Sequence, residues 1–359
     1  MDRTGSTSTT VWKSYTQSQV NLPTLLQSIM RETFSAIFSL ILISSLLTGC
    51  ISGDNGESED EDDLFEEPPT EISQFSEHCI EYDNLERCWV LLVPTIINES
   101  APAPLLVDMH GNGDDMYQQR WTSDFANISM EQGFIVAYPQ GHNNAWNQGS
   151  SLIPCSDELR CSEEDDVGFI LQMLDTIMQN HSTDKSRIYV TGWSNGCGMT
   201  QRLAVQASDV FAAAGCMAMY RFAEVPSDYS PIPFMEVHGL LDEIVLYATT
   251  APAAPVFGPE KGAIQNLESW ADLNGCQGSV PEVIVSEDDY DIRGYTDCDN
   301  ETQVMLVSLF FAAHNPYEHD DPDGLVPERG WANPTGVPSS TIVWDFMSKF
   351  SKDSPGDDA

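Results

Sequence analysis

Residues 187–199 read RIYVTGWSNGCGM and contain the pattern G-x-S-x-G at positions 192–196. The apolar run at 187–191 predicts a strand, and the residues after the motif predict a helix to about residue 207. A strand that runs into a glycine-flanked serine and leaves as a helix is typical of a nucleophile elbow, where the glycines let the turn close and expose the serine oxygen. The pattern alone is weak evidence, because a chain of this composition contains about 0.1 matches to it by chance. In this context Ser194 is the candidate nucleophile.

Strands and helices alternate on both sides of this motif. Further helices are predicted at 124–132, 167–178 and 339–350 from apolar spacing and end signals. Short apolar runs predict strands at 105–109, 134–138, 211–217, 234–237 and 305–311. The alternation predicts an α/β fold with one mostly parallel central sheet and helices on both faces.

A serine nucleophile needs a base, and the base needs a carboxylate that orients it. Where the serine sits on such an elbow, the chain order is Ser, then the acid, then His. Of the seven His, only His314 and His319 follow both the serine and a suitable acid. His314 comes directly after the strand at 305–311, whereas His319 lies in an acidic, polar loop. The pattern therefore favours His314 as the base.

The acid is sought in the same way, at the end of a strand. Asp242 follows the strand at 234–237 in the segment HGLLD, residues 238–242. Glu243 is the neighbouring alternative, and Asp272 is predicted to lie on a helix. The position of Asp242 just past a strand end makes it the predicted acid, since most of the 56 acidic residues belong on a solvated surface.

Acyl transfer also needs N–H donors for the oxyanion that forms in the transition state. One predicted donor is the backbone N–H of Asn195, the residue after the nucleophile. The second is expected in the loop after the strand at 105–109, at Asn112, with Gly113 as the alternative. His110, which begins this loop, is expected to organise the loop and not to act as a base.

The charge balance excludes some classes of protein. The chain has 359 residues with 56 Asp and Glu against 15 Lys and Arg, a formal net charge of −41. Nucleic-acid binding needs clusters of Lys and Arg, and none is present, so we expect no nucleic-acid partner. The hydrophobic fraction of 41% excludes a wholly disordered chain. The acidity is interpreted as surface solubility.

The first 71 residues indicate export. Residues 34–48 form an apolar run after Arg31 that is too short to span a membrane, which is typical of a signal segment. The sequence LTGC at 47–50 resembles the lipobox of secreted lipoproteins, which implies lipidation of Cys50. Contact with a membrane is then expected only through this anchor, at the cell surface. The predicted organisation is an uncertain extension at 1–29, a signal at 30–49, an acidic linker at 50–71, an α/β domain at 72–352 and a tail at 353–359.

The cysteine count supports an oxidising compartment. Apart from Cys50 there are eight Cys, an even set that predicts disulfides without fixing their connectivity. No CxxC occurs and no His is spaced to join a Cys couple, so a zinc site is not indicated. Nothing in the sequence points to a metal or organic cofactor. The eight fall in four couples: Cys79 and Cys88, Cys155 and Cys161, Cys197 and Cys216, Cys276 and Cys298.

Several segments of the body resemble one family. They are PLLVDMHGNG at 104–113, VAYPQG at 136–141, DVGFI at 166–170, TGWSNGCGM at 191–199 and HGLLDEIVLY at 238–247. These are similar to segments of the secreted α/β-hydrolase esterases grouped with polyhydroxybutyrate depolymerases and feruloyl or acetylxylan esterases. The resemblance spans about residues 88–350 and implies an α/β-hydrolase fold. It also implies a Ser194–Asp242–His314 triad and a Cys276–Cys298 disulfide.

The surroundings of His314 depart from that family. The family has a glycine-rich run before its His and Thr-Trp-Pro-Gly after it, whereas this chain has FAA before and NPY after. The departure leaves the substrate open among polyhydroxyalkanoate, feruloyl and acetyl-polysaccharide esters. Trp146, Trp193 and Trp331 are the predicted aromatic borders of a substrate site. A serine esterase is the favoured hypothesis, and the alternatives are a peptidase of the same fold and a catalytically silent surface-binding lipoprotein.

Overall fold

The computed structural model describes residues 74–98, 100–149, 162–248, 262–318 and 333–352. All of them belong to one unit, residues 71–359. The predicted signal, the acidic linker, Cys50, the Cys155/Cys161 couple, His319 and Trp331 lie outside the described residues. Within the part that is described, no helix is long and apolar enough to cross a membrane.

Ten strands and six helices make up the described body. The helices are α1 Met116–Thr122, α2 Phe125–Gln132, α3 Asp166–Asn180, α4 Asn195–Gln206, α5 Ala263–Leu273 and α6 Ser339–Met347. The strands are β1 Phe75–Tyr82, β2 Leu85–Leu92, β3 Ala103–Met109, β4 Ile135–Pro139, β5 Thr183–Gly192, β6 Ala213–Met217, β7 Phe234–Gly239, β8 Glu282–Ser286, β9 Tyr290–Tyr295 and β10 Val304–Leu309. The predicted strands and helices are therefore confirmed, with ends that differ by a few residues.

All ten strands form one sheet, in the order β1-β2-β4-β3-β5-β6-β7-β10-β9-β8. The six central strands, from β4 to β10, run parallel. The strands at both edges are antiparallel, β1 and β2 on one side and β9 and β8 on the other. The predicted mostly parallel sheet is thus confirmed for its centre, whereas the antiparallel edges were not predicted from the sequence.

Helices cover both faces of this sheet, as the alternation predicts. On one face α3, α4 and α5 bury apolar side chains such as Phe169, Leu203 and Trp270 in one core. On the other face α1, α2 and α6 contribute Phe125 and Trp344 to a second core. Strands buried on both faces read as continuous apolar runs, which is why the central strands were visible in the sequence.

The parallel arrangement determines where a site can form. The chain leaves β3, β5, β7 and β10 at their carboxyl ends, which lie at the same edge of the sheet. The loops after these four strands carry the predicted oxyanion segment, Ser194, Asp242 and His314 respectively. Residues that are up to 120 positions apart in the chain can therefore meet at this edge.

Three of the four predicted cysteine couples are disulfides in the described residues. Cys79–Cys88 links directly paired positions of β1 and β2. Cys197–Cys216 joins the helix that follows the candidate nucleophile to β6. Cys276–Cys298 joins the segment after α5 to the segment after β9. One disulfide thus joins α4 to β6 at the centre of the sheet. The other two lie at the antiparallel sides of the sheet, one on each side.

Candidate active site

The turn between β5 and α4 holds Ser194 in an unusual backbone conformation. Its φ is 53° and its ψ is −117°, a combination that costs a non-glycine residue free energy and is found at functional sites. Glycine is required on both sides, because a Cβ on Gly196 would come within 2.2 Å of the Met109 carbonyl oxygen. A Cβ on Gly192 would lie 2.7 Å from the Gly196 backbone. The tight turn predicted from the G-x-S-x-G pattern is therefore present.

Ser194, His314 and Asp242 form one chain of hydrogen bonds. The Ser194 hydroxyl lies 2.9 Å from Nε2 of His314, to which it can donate. Nδ1 of His314 lies 2.8 Å from Oδ2 of Asp242, to which it donates. The His314 side chain is 12% exposed and the Asp242 side chain is buried, so the imidazole lies between solvent and the carboxylate. This is the geometry in which an imidazole can take the serine proton.

The carboxylate of Asp242 is held by its own loop. Oδ1 accepts hydrogen bonds from the backbone N–H groups of Ile244 and Val245, both at 2.8 Å. Burial acts to raise the pKa of the Asp242 carboxyl, but hydrogen bonds from His238 and His314 outweigh it and hold that pKa well below its usual range. The alternative acid Glu243 is exposed, and Asp272 is exposed on α5 as expected.

The two predicted oxyanion donors lie on adjoining segments. Asn195 is the first residue of α4, where a backbone N–H has no acceptor within the helix. The N–H of Gly113 donates to the Asn144 carbonyl at 2.8 Å, which disfavours Gly113 as the second donor, and Asn112 stays a prediction. The side chain of Asn195 bonds to Trp146 instead: its Oδ1 accepts from the Trp146 backbone N–H, and its amide nitrogen donates to the Trp146 carbonyl.

His110 is fixed as a neutral imidazole. Its Nε2 accepts from the backbone N–H of Gly141 at 3.0 Å, so the ring proton is on Nδ1 and is donated to the Gly111 carbonyl at 2.7 Å. Burial lowers the pKa of His110 to about 4. The geometry agrees with the expected role in organising the loop after β3.

The structure does not support the prediction that Trp146 and Trp193 border the substrate. Trp146 is 2% exposed and its indole N–H donates to the His110 carbonyl. Trp193 is 7% exposed and its indole N–H donates to the His314 carbonyl at 2.8 Å. Both rings are packed inside the site, where they hold the loops that carry its polar groups. Sequence alone could not separate a buried indole from an exposed one.

The site is bordered by an apolar surface, and this surface was not predicted from the sequence. Leu240, Leu241 and Ile244 flank Asp242 and are exposed, and Phe311 is exposed just before His314. The two loops are joined by backbone hydrogen bonds, including one from the Leu241 N–H to the Ala312 carbonyl at 3.0 Å. We call these four residues the apolar rim. Exposed apolar side chains next to polar catalytic groups are typical of a surface that contacts a ligand.

A buried carboxyl on β3 braces the loop that carries His314. Asp108 accepts hydrogen bonds from Ser123 at 2.6 Å and from the amide of Gln119 at 2.8 Å. The same amide of Gln119 donates to the hydroxyl of the buried Tyr317, three residues after His314. Burial raises the pKa of Asp108 to about 7, although the hydrogen bonds from Ser123 and Gln119 lower it.

This shift predicts a stability change with pH. Because the folded pKa of Asp108 exceeds that of an exposed Asp, the folded protein keeps a proton that the unfolded chain loses above about pH 4. The stabilisation is complete below about pH 4 and is lost as the pH rises through about 7. The variant Asp108→Asn avoids ionisation, so its stability relative to the parent should rise between pH 5 and pH 8, by on the order of 3 kcal/mol.

Urea unfolding of the parent and of Asp108→Asn at both pH values measures this difference. Asp272→Asn, which changes an exposed carboxyl on α5, is the control and should track the parent protein at both pH values. An Asp108→Asn protein whose unfolding free energy differs from that of the parent by the same amount at pH 5 and pH 8 would contradict the assignment.

Comparison with known proteins places this site in context. Residues 89–256 match the family model described as Esterase PHB depolymerase. Feruloyl esterase B of Piromyces equi is 26% identical over 271 residues, which cover 73% of this chain and 45% of that protein. Bifunctional acetylxylan esterase/xylanase XynS20E of Neocallimastix patriciarum is 23% identical over 266 residues, covering 72% and 33% of the two chains. The chain thus spans less than half the length of either relative.

Two further likenesses are more local or more distant. Poly(3-hydroxyalkanoate) depolymerase C of Paucimonas lemoignei is 36% identical over 119 residues, which cover 33% of this chain and 28% of that protein. Among solved structures, an acetyl xylan esterase from Aspergillus awamori superposes with a TM-score of 0.51 at 18% identity, covering 69% of this chain and 97% of the other. This structural likeness, together with the sheet order, shows the predicted α/β-hydrolase fold.

Proposed function

We propose that the chain is a serine esterase that hydrolyses carboxylic esters, because residues 89–256 match the family model described as Esterase PHB depolymerase. The observation that carries the proposal is the unbroken chain of hydrogen bonds from Ser194 through His314 to Asp242. A serine hydroxyl becomes a useful nucleophile only beside an oriented base. Within the described residues, the Ser194 hydroxyl has this base in His314.

The proposed mechanism uses each group in turn. The Ser194 oxygen attacks the ester carbonyl carbon while its proton moves to Nε2 of His314. Asp242 holds Nδ1 of His314 and stabilises the imidazolium, and the N–H groups of Asn195 and Asn112 receive the oxyanion. Collapse of the intermediate releases the alcohol, which takes the proton from His314. Water then attacks the acyl-enzyme with His314 again as base, and the carboxylic acid leaves.

The surroundings of the triad support an uncharged ester as substrate. The apolar rim offers exposed aliphatic and aromatic surface beside Asp242 and His314. The chain carries a net charge of −41, which disfavours the approach of anionic substrates. The relatives' names mention feruloyl, acetylxylan and polyhydroxyalkanoate substrates, all of which are esters without a charge at the reacting group.

A panel of substrates tests the reaction class. p-Nitrophenyl acetate and butyrate, methyl ferulate, acetylated xylan and polyhydroxybutyrate are each offered to the purified protein, with the p-nitroanilides of the same two acyl groups beside them. We expect ester hydrolysis and no comparable release of p-nitroaniline. Amide cleavage at the ester rate would indicate a peptidase, and absence of turnover on every ester would favour a silent binding protein. The ratio of rates across the esters identifies the substrate class.

We also propose that the protein is exported and anchored at the cell surface through a lipid on Cys50. The support is the apolar run at 34–48, the LTGC segment at 47–50 and the acidic stretch that follows them. Disulfides among the remaining cysteines agree with an oxidising compartment. The variant Cys50→Ala should move the protein from the membrane fraction to the soluble fraction. Equal membrane association of both proteins would contradict the anchor.

A further inference from the structure

A second histidine lies directly behind the acid of the triad. His238, near the end of β7, is fully buried and lies beside Asp242. Its Nε2 lies 3.3 Å from Oδ2 of Asp242, the same oxygen that accepts from His314. The mechanism described above makes no use of this imidazole, nor of the buried Glu236, which lies two residues earlier on the same strand.

The contacts of His238 fix where its protons are. Nε2 also lies 2.7 Å from the Val245 carbonyl oxygen, which can only accept, so Nε2 carries a proton. Nδ1 lies 2.7 Å from Oε1 of Glu236. One further proton is therefore shared between His238 and Glu236, and the protonation state of the pair depends on what Glu236 meets on its other oxygen.

That other oxygen meets a donor whose orientation is determined. Trp270 can only donate through its indole N–H, and it donates to Oε1 of Gln201 at 2.9 Å. The group of Asn266 that faces the same Oε1 is therefore its amide nitrogen, which also donates to Oε2 of Glu236 at 2.6 Å. Oε2 of Glu236 thus accepts, as an oxygen of a carboxylate does, which favours placing the shared proton on Nδ1 of His238.

No other charged group faces this pair among the described residues. The ring of Tyr220 stacks on His238 with centroids 5.8 Å apart, and the ring of Tyr247 meets it edge-on at 5.7 Å. Their hydroxyl groups are turned elsewhere, to the Leu246 carbonyl and to the Ser308 hydroxyl. The charges that act on His238 are therefore those of Glu236 and Asp242.

We propose that Glu236 and His238 form a positioning pair for the triad acid, in which a buried imidazolium holds the carboxylate of Asp242 ionised and turned toward His314. The proposal rests on the serine esterase mechanism proposed above. Glu236 is needed because an imidazolium without a counter-charge on its far side would cancel much of the charge that Asp242 offers to His314. Burial lowers the pKa of His238, but the hydrogen bonds and charges of Asp242 and Glu236 raise it to about 10.

The variant Glu236→Gln tests the pair without removing hydrogen bonds. The Gln oxygen can accept from Asn266 while its amide nitrogen donates to Nδ1 of His238, which leaves His238 neutral and still donating through Nε2. The variant removes the positive charge of His238 and the negative charge of Glu236, and the charge of His238 is the nearer one to Asp242. Protonated His314 is then stabilised more strongly, so the acid limb of the kcat/KM profile should move to higher pH, by about half a unit or more, with KM unchanged.

The control for this measurement is Tyr247→Phe, which keeps the ring against His238 and loses only the bond to Ser308. Its pH profile should superimpose on that of the parent protein. A Glu236→Gln profile that also superimposes, or a change confined to KM, would overturn the proposal. A purely structural role would lower the thermal midpoint without moving the pH profile.

Nitrogen-15 NMR of the histidine rings in the unmutated protein also tests the pair. This measurement requires neither a variant that folds nor a protein that turns over substrate. We expect His238 to show two protonated ring nitrogens from pH 6 to pH 8. A neutral His238 at pH 7 would overturn the proposal. If the protein hydrolyses no ester while His238 is doubly protonated, the proposed function fails and the ion pair behind Asp242 stands without a catalytic role.

Discussion

Replacement of Ser194 by Ala is expected to lower kcat for ester hydrolysis by about 10⁵- to 10⁶-fold. The change removes the oxygen that Nε2 of His314 contacts at 2.9 Å, and with it the atom that would carry the acyl group. The residual rate should come from substrate binding and oxyanion stabilisation alone. The measurement is kcat for a p-nitrophenyl ester with the parent protein and the variant prepared in parallel.

A second serine provides the control for this loss. Ser129 is buried on α2, and its hydroxyl donates to the Phe134 carbonyl at 2.6 Å, on the face of the sheet covered by α1, α2 and α6. The variant Ser129→Ala should keep kcat close to that of the parent protein. Comparable kcat values in Ser194→Ala and the parent would exclude Ser194 as the nucleophile.

Asp242→Asn is expected to lower kcat by about 10⁴-fold, since it reverses the direction of a hydrogen bond. In the parent protein the Asp242 oxygen Oδ2 receives N–H groups from both His314 and His238. With Oδ1 still held by the backbone N–H groups of residues 244 and 245, an Asn would place its amide NH₂ against both imidazoles. His314 would then keep its proton on Nε2, facing Ser194, and could not act as a base.

The neighbouring acid provides a matched control for this substitution. Glu243 is exposed and was the alternative from the sequence, so Glu243→Gln should leave kcat unchanged. The comparison is made at a pH well above the acid limb of the parent protein's activity profile. Loss of turnover in Glu243→Gln together with normal turnover in Asp242→Asn would place the acid one residue later and contradict the geometry.

The sequence was sufficient to predict the parts of the site that follow from strand ends. The buried parallel strands are continuous apolar runs, so the residues after them could be located, and chain order then selected Asp242 and His314. The structure brings these two residues to hydrogen-bonding distance of each other and places Ser194 beside the imidazole. Burial separates Asp242 from the exposed Glu243, which spacing could not do.

The rest of the structure depended on contacts that spacing does not encode. The edge strand β1 is partly exposed and β8 is mostly exposed, and neither has an apolar run longer than three residues, so their antiparallel pairing was not visible. The Gln119 amide links Asp108 to Tyr317, and Gln119 and Tyr317 are 198 positions apart in the chain. In the sequence, Glu236 and His238 are recognisable only as part of a strand. Their proposed role depends on the contact between His238 and Asp242.

Labelling with a fluorophosphonate probe, followed by mass spectrometry of the modified peptide, tests directly whether Ser194 is an activated nucleophile. Such probes react with serines that a neighbouring base has activated, and not with ordinary hydroxyl groups. We expect one phosphonylated residue, Ser194, and no labelling of Ser194→Ala. An unlabelled protein with an intact fold, or a label on any residue other than Ser194, would contradict it.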